Sequence, residues 1–351
     1  MAVAPAKQLA GWKNTPPAKG RLWEIDMPLG RLVSALAALW IGAGGASAES
    51  LRIAAQKTGT LAWELDVIAA HGLAVEAGLD LQIVEYASPE AGKLALHSGS
   101  ADVILSDLMF VARERALGGS LVFAPYSSAL GAVMVPEGSP IRGIADLKGR
   151  KIGVAGGPLD KSWLMLRALS RRAGFDPAKE SEPAYGAPKL LEAKAEQGEL
   201  AALLNYWNIC ADMETKGFRR AIDMADVERA LGAAAPVALV GYAFDGKFAD
   251  AHAPAMLKFL DVSARARKML ADDPAEWKRI AGRVGASSEA ALSVYQARYA
   301  QGAARRPLAE EEADARALYG VIAAEGGAAL VGPATTLDPA AYWRPPGEAT
   351  R

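Results

Sequence analysis

The stretch KIGVAGGPLDKSWLMLRALSRRAG, residues 151–174, decides the fold class. An apolar run is followed by two glycines and then by a segment whose apolar spacing predicts a helix over 159–174. A strand that passes through a glycine turn into a helix is the repeating unit of α/β proteins. The turn is close to a phosphate-binding loop, but Asp160 and Ala155 stand where that loop has glycine. Because a carboxylate would repel the phosphates, we do not expect ATP to bind here.

The same alternation of apolar strands and helical segments continues on both sides of this stretch. The predicted helix 61–72 has Thr60 as its N-cap and ends at Gly72. The remaining pattern predicts helices over 89–98, after Asp107 and over 187–198, and strands over 51–56, 79–86, 101–105 and 199–204. Strands that alternate with helices predict βαβ units and mainly parallel sheets.

Two parts of the chain follow a similar plan. GSADVILSD (99–107) and GELAALLNY (198–206) each place a glycine before a short apolar strand and polar residues after it. The long apolar segments 121–136 and 235–244 predict hinge crossings between two lobes. We therefore expect an α/β protein with two lobes, each with a mainly parallel sheet, and a helical C-terminal tail packed onto the first lobe. The expected divisions are 1–48 for an N-terminal extension and signal peptide, 49–127 for the first part of lobe 1, 128–236 for lobe 2, and 237–351 for the return to lobe 1 with the C-terminal helices.

Composition and the N-terminal region predict an exported globular protein. Of 351 residues, 51% are hydrophobic and 23% are charged, and the formal net charge of −1 gives no reason to expect nucleic acid as a partner. The segment 31–50 has a basic residue, an apolar run and small residues, the layout of a secretory signal cleaved after Ala48; a buried helix is the alternative. Met27 is an alternative start, which would leave residues 1–26 untranslated. Because Cys210 is the only cysteine, we expect no internal disulfide, no cysteine-based metal site and no lipid anchor after Ala48.

The candidate site follows from a rule for parallel sheets, in which ligands bind outside the C-terminal ends of the strands. This rule selects as ligand-binding residues Gln56, Lys57, Thr58, Ser106, Asp107, Gly156, Gly157, Asp160, Lys161, Ser162, Asn205, Tyr206, Trp207 and Asn208. Gly59 follows the same strand as Gln56 and is selected as well. Structural roles remain open for several of them, since aspartate and serine cap helices, a first-turn lysine can lie in solvent, and aromatic rings can belong to the core. The spacing of Ser, His and Asp residues predicts no catalytic triad, and we expect neither a metal nor a cofactor.

Four segments carry a resemblance to a known family: LRIAAQKTGT (51–60), LHSGSADVILSD (96–107), IADLKGRKIGVA (144–155) and GELAALLNYW (198–207). From about residue 50 to about 325 the chain resembles the periplasmic substrate-binding proteins of nitrate, sulfonate and taurine ABC importers. Binders of thiamine-pyrimidine precursors belong to the same superfamily. The run DLKGRKIGV (146–154) is the most specific part, because that family places it at the entry to the second lobe.

The resemblance implies a type II-like periplasmic-binding-protein fold that closes on a small solute in an interlobe cleft. It also implies a periplasmic monomer whose partner is an ABC permease in the inner membrane. Helix N-termini and Lys161 favour an anionic solute, Tyr206 and Trp207 favour an aromatic or heterocyclic one, and Asp107 and Asp160 can instead meet a cation or amine. An enzyme related to thiamine-pyrimidine synthesis is the alternative. The resemblance implies that such an enzyme needs a cysteine-rich motif, and this sequence has only Cys210.

Overall fold

The protein is built on two five-stranded sheets in the residues that the computed structural model describes, 49–303 and 306–347. The predicted signal segment, 1–48, lies outside them. The strands of the first sheet are β1 (Glu49–Gln56), β2 (Leu79–Tyr86), β3 (Val103–Asp107), β4 (Leu121–Ser127) and β10 (Val240–Asp245). The strands of the second sheet are β5 (Ala132–Pro136), β6 (Lys151–Ala155), β7 (Glu182–Gly186), β8 (Ala202–Asn205) and β9 (Phe218–Asp223).

The two sheets have equivalent topologies. Their strand orders are β2-β1-β3-β10-β4 and β7-β6-β8-β5-β9. In each described sheet one strand runs against the others, β10 in the first and β5 in the second. Both of these strands lie next to a crossing from one sheet to the other. The mainly parallel, two-lobed α/β architecture is therefore confirmed, and we call each sheet with its own connecting helices the first or the second lobe.

Helices connect the strands and cover the sheets. The first lobe contains α1 (Thr60–Ala70), α2 (Leu73–Glu76), α3 (Pro89–His97) and α4 (Leu108–Ala116). The second contains a 3-10 helix (Ile144–Leu147), α5 (Lys161–Arg172), α6 (Pro177–Glu180), α7 (Pro188–Glu196), α8 (Trp207–Met213) and α9 (Met224–Leu231). The C-terminal region contains α10 (Gly246–Ala251), α11 (Ala253–Asp272), α12 (Pro274–Arg279), α13 (Ala281–Val284), α14 (Glu289–Gly302) and α15 (Leu308–Val331). None of these helices, over the part of the chain described, is both long and apolar enough to cross a membrane.

Element bounds follow the sequence pattern closely in the lobes. The predicted strands 79–86 and 151–155 coincide with β2 and β6. The predicted crossing 121–136 divides into β4 and β5, which lie in different sheets. One cap was predicted wrongly: Gly59 is the N-cap of α1 and Thr60 is its first residue. Gly59 has φ 105°, which favours glycine, so the chain turns into the helix before Thr60 can serve as the cap.

The C-terminal helices hold the two lobes together. Helix α11 packs on α1 of the first lobe, whereas α14 packs on α8 of the second. Helix α15 contacts α4 and α5, one from each lobe. The expectation that the tail packs onto the first lobe is confirmed for α11 and is too narrow for α14 and α15. A hydrophobic cluster continuous between the lobes includes the fully buried side chains Leu108, Leu164 and Leu318.

The first connection between the sheets, residues 128–131, is tightly packed. Its Ser128 N–H donates to Gly302 O at the end of α14 over 2.9 Å. Gly131 has φ 118°, and a Cβ at this position would lie 2.0 Å from Asn205 O. Only glycine therefore fits where this connection passes the end of β8.

The second connection, residues 232–239, is held by carboxylates of α15. Asp314 Oδ1 accepts a hydrogen bond from Ala234 N over 2.9 Å, and Glu311 Oε1 accepts one from Ala238 N over 2.6 Å. These bonds satisfy backbone N–H groups that would otherwise be buried without partners. Each connection is thus anchored to a helix that touches both lobes.

Candidate functional site

Polar groups from the strand ends of both lobes approach one another in the space that we call the interlobe cleft. Asp107 ends β3 in the first lobe, Asp160 precedes α5 in the second, and Tyr206 follows β8. Tyr206 Oη and Asp160 Oδ2 lie beside the same backbone position, Gly156, and the charge of Asp107 in the first lobe contributes to the raised pKa of both groups. The strand-end rule selected all three residues, and the structure brings them together across the lobes.

Both aspartates are helix caps. Asp107 Oδ1 accepts a hydrogen bond from Phe110 N over 2.9 Å at the start of α4. Asp160 Oδ1 accepts from Ser162 N and Trp163 N over 2.9 and 3.3 Å at the start of α5. The capping role left open by the sequence is therefore observed for both. Since these bonds all go to Oδ1, Oδ2 of each carboxyl group retains its capacity for a further donor.

The electrostatics of this group favour a hydrogen-bond donor as its partner. Burial raises the pKa of Asp160, Lys161 opposes the increase, and the charge of Asp107 contributes to it. Burial and the charges of Asp160 and Asp107 also raise the pKa of the Tyr206 phenol well above its ordinary value. Tyr206 is therefore a neutral hydroxyl at neutral pH. Two carboxyl groups whose negative charges act on each other would be stabilised by a positive or donating group of a ligand.

The polar groups of Tyr206 and Asp160 pack closely against the backbone at Gly156. A Cβ on Gly156 would lie 2.5 Å from Tyr206 Oη and 2.7 Å from Asp160 Oδ2. Gly156 also has φ 81°, a conformation that side chains rarely adopt. The first glycine of the quoted stretch thus makes room for two polar groups of the cleft.

The first lobe contributes a small cavity of about 140 Å³ beside the ends of β1 and β2. Its lining includes Gln56, Thr58, Thr60, Tyr86 and Ser88. Helix α1 begins here, and among the described residues no side chain caps it. The free N–H groups and the positive end of the helix dipole make such a terminus favourable for an acidic group.

Several predicted residues have structural surroundings instead. Asn205 is buried; its Nδ2 donates to Pro188 O over 3.0 Å, and its Oδ1 accepts from Tyr206 N over 2.8 Å. Trp207 is 9% exposed and packs against rings of the first lobe and α14. Through its two hydrogen bonds, Asn205 positions Tyr206 and the start of α7.

Of the other predicted residues, Ser162 is buried, Lys57 and Gly156 are exposed, and Ser106, Gly157, Lys161 and Asn208 are half-buried.

The structure adds residues that the sequence reasoning missed. Tyr86 ends β2, and Ser88 caps α3 through a bond from Ala91 N over 3.2 Å. Both line the first-lobe cavity together with Pro89. The sequence did contain a signal for these two residues, because the strand-end rule applies equally to the predicted strand 79–86 and to the residues that follow it.

Solved structures with the same fold include binding proteins and an enzyme. The periplasmic aliphatic sulphonate binding protein SsuA of Escherichia coli is 22% identical, with a TM-score of 0.68 over 85% of this chain and 92% of that one. The alkanesulfonate-binding protein SsuA of Xanthomonas axonopodis pv. citri, bound to MOPS, is 20% identical, with a TM-score of 0.64 over 84% and 98%. The desulfurization enzyme DSZB is 17% identical, with a TM-score of 0.53 over 78% and 92%. These likenesses establish the fold.

The sequence itself assigns the family. No curated protein matches the chain. Residues 67–277, more than half of the chain, match the model of the family described as NMT1/THI5 like. The matched span runs from α1 to α12 and includes Asp107, Asp160 and Tyr206. The superfamily resemblance inferred from the motifs is thereby confirmed: the chain belongs to the NMT1/THI5-like family.

Proposed function

We propose that the protein is the solute-binding component of an ABC importer and that its solute binds in the interlobe cleft. The observation that carries this proposal is the approach of Asp107 from one lobe to Asp160 and Tyr206 from the other. A solute held by these groups contacts both lobes at once, so it binds the closed arrangement better than the open one. That difference in affinity is what shifts the population toward closure.

The connections between the lobes suit a hinge. Both connections are short, and they lead directly into the antiparallel strands: 128–131 into β5 and 232–239 into β10. Changes in a few backbone dihedrals there are sufficient to rotate one sheet relative to the other. Because α14 and α15 contact both lobes, they limit how far the lobes separate.

The chemistry of the cleft supports a small solute with two different ends. The uncapped start of α1 and the first-lobe cavity favour an acidic group, such as the sulfonate named in the SsuA structures. Asp107, Asp160 and the Tyr206 hydroxyl favour an amine or another hydrogen-bond donor. We therefore propose a small acid that also carries an amino group or an equivalent donor.

The proposed location is the periplasm, with a membrane permease as partner and the protein acting as a monomer. Strand β1 begins at Glu49, the residue after the predicted cleavage point. Cleavage after Ala48 would therefore leave every described strand and helix intact. The SsuA protein of Escherichia coli, which has a similar structure, is periplasmic, and this agrees with the proposed location.

An enzyme with the same fold is the competing function, since DSZB shows that this fold supports catalysis. The single cysteine does not favour it. Cys210 is buried, its Sγ donates to Asn205 O over 3.2 Å, and burial raises the pKa of the thiol to about 12. The thiol is therefore protonated at neutral pH and is a poor nucleophile.

Native mass spectrometry of protein purified from its own periplasm tests the proposal. We expect one small molecule bound per chain, released unchanged on denaturation and carrying both an acidic group and a donor. Chemical conversion of that molecule during incubation with fresh protein would support the enzyme instead. A recovered molecule without an amine or equivalent donor would contradict the assignment of Asp107 and Asp160.

A further inference from the structure

The carboxyl group of Glu64 joins α1 to three other elements of the fold. Glu64 lies on α1 and is fully buried. Its Oε1 accepts a hydrogen bond from Tyr299 Oη of α14 over 2.5 Å. Near its Oε2, Ser263 Oγ of α11 lies at 3.3 Å and Tyr242 Oη of β10 at 3.4 Å, and these two hydroxyl groups are 2.7 Å apart. Since each hydroxyl has one proton, one donates to the other and that one donates to Glu64.

The charged and titratable groups that act on Glu64 come from every element around it. In the described part of the chain they are Arg267 of α11, Tyr126 of β4, Tyr242 and Tyr299. Burial raises the pKa of each of the three phenols, so all three are neutral at neutral pH. Arg267 stays positively charged, and its Nη1 donates to Tyr126 O over 2.9 Å. Within this group, Glu64 is therefore the residue whose charge changes near neutral pH.

Two opposing effects determine the ionisation of Glu64. Burial disfavours the carboxylate, whereas the charge of Arg267 and the surrounding hydroxyl groups favour it. Burial is the larger effect and raises the pKa of Glu64 from 4.5 to about 7. The packed arrangement thus binds the proton more tightly than an arrangement in which water reaches the carboxyl group. Between these two pH values, protonation favours the packed arrangement and ionisation favours opening.

Helix α14 connects Glu64 to the second lobe. The bond from Tyr299 on this helix is the shortest of those to Glu64. The ring of Tyr299 also contacts Trp207, with centroids 6.1 Å apart, and α14 packs on α8. At the end of the same helix, Gly302 O accepts from Ser128 N of the first connection. A displacement of α14 therefore changes contacts to the second lobe and to the first connection together.

We propose that Glu64 is a pH-sensitive positioning residue for α14. Protonated Glu64 stays buried and keeps α14 packed against α1, whereas ionised Glu64 favours an arrangement in which α14 has moved and water reaches the carboxylate. Because α14 contacts both lobes, the proton on Glu64 is linked to the arrangement of the lobes. Any effect on solute affinity rests on the proposed function, since α1 begins at the first-lobe cavity. The proton-linked movement itself does not.

Hydrogen exchange of the unliganded protein from about pH 5 to about pH 8, read by mass spectrometry and corrected for intrinsic exchange rates, tests the proposal. In the wild type, the opening constant of α14 peptides should rise about tenfold per pH unit and level off near pH 7. Glu64→Gln has the shape of the protonated acid and should abolish this rise. Peptides of α5 should lack a rise that depends on Glu64, because α14 opens locally.

Asp212→Asn is the matched control, because Asp212 is also a buried acid that anchors α14. Its Oδ1 accepts from Ser287 N over 3.0 Å just before that helix. Against the effect of burial, hydrogen bonds from Lys216 and Ser287 lower the pKa of Asp212 to about 2, so it stays ionised throughout. This variant should keep the wild-type pH dependence.

If Glu64→Gln fails to fold, Tyr299→Phe decides. It removes a donor to the carboxylate, so the levelling-off should move above pH 7. An unchanged pH dependence in folded Glu64→Gln, an unchanged levelling-off in Tyr299→Phe, or the same Glu64-dependent rise in α5 would overturn the proposal. None of these results affects the cleft, whose solute is identified separately by native mass spectrometry.

Discussion

Trp207 of the second lobe packs edge-on against Trp63 of the first, with ring centroids 5.9 Å apart and ring planes at 87°. Tyr295 and Tyr299 of α14 contact the same Trp207 ring at 6.0 and 6.1 Å. Trp207 directly follows Tyr206, whose hydroxyl group faces the cleft aspartates. The residue therefore joins the candidate solute site to the packing that holds the lobes together.

Trp207→Ala should lower the free energy of unfolding by about 3–5 kcal/mol, the usual cost of removing a large buried ring. Denaturant unfolding of the unliganded protein measures this change. Trp207→Phe keeps an aromatic ring in the cluster and should cost less. An unchanged unfolding midpoint combined with weakened solute affinity would show that Trp207 is a pocket residue, as the strand-end rule predicts.

The position of Trp207 shows where sequence reasoning reaches its limit. The strand-end rule predicts that residues 205–208 lie at the C-terminal end of a strand, and they end β8 and begin α8, with Tyr206 Oη and Asp160 Oδ2 both beside Gly156. Whether the next ring enters the cleft or the core depends on α14, which follows some eighty residues later in the chain and packs on α8. No local pattern around Trp207 contains that contact.

Gly156→Ala should weaken solute binding more than Gly157→Ala. Both glycines have positive φ, 81° and 88°, so the backbone strain of the two substitutions is similar. A Cβ at 156 meets Tyr206 Oη and Asp160 Oδ2, whereas no described atom lies within 4 Å of one at 157. Calorimetric titration with the solute compares them. Equal losses of affinity would mean that the groups around Gly156 do not contact the solute.

Glu228 should make stability depend on pH. It is fully buried in α9, and the backbone N–H of Val237 only partly offsets the cost of burying its charge. Burial raises its pKa from 4.5 to about 9, with a contribution from the charge of Glu311. The folded protein then holds a proton that the unfolded chain loses, so the free energy of unfolding falls as pH rises from 4.5 toward 9.

Glu228→Gln mimics the protonated acid and tests this sign. The stability of the variant relative to wild type should increase by about 1.4 kcal/mol per pH unit within that window. Denaturant unfolding at several pH values measures it. Parallel profiles for the two proteins would show that Glu228 is ionised in the folded state.

The fold was more predictable than the site. Strands such as 79–86 and 151–155 are set by local apolar runs between turn residues, so the sequence pattern contains their bounds. For Asp107 and Asp160 the sequence left a helix cap and a cleft residue as alternatives; the structure shows the capping bonds, and contact with a solute stays a prediction.

Cleavage after Ala48 remains a prediction, since residues 1–48 lie outside the described part of the chain. N-terminal sequencing of the mature protein from the periplasmic fraction should begin at Glu49, the first residue of β1. A mature protein that retains residues 1–30 in the cytoplasm would contradict both export and the importer role.

The affinity of the Asp107→Asn, Asp160→Asn double variant for the solute recovered from the wild type tests the central claim most directly. Asparagine caps helices about as well as aspartate, so both caps are retained while both charges are removed. Asp273→Asn is the control, because Asp273 caps α12 through Ala275 N over 2.8 Å and belongs to neither strand-end group. We predict that the double variant binds the solute at least about tenfold more weakly with an unchanged melting temperature, while the control binds normally. Wild-type affinity in a folded double variant would contradict the account.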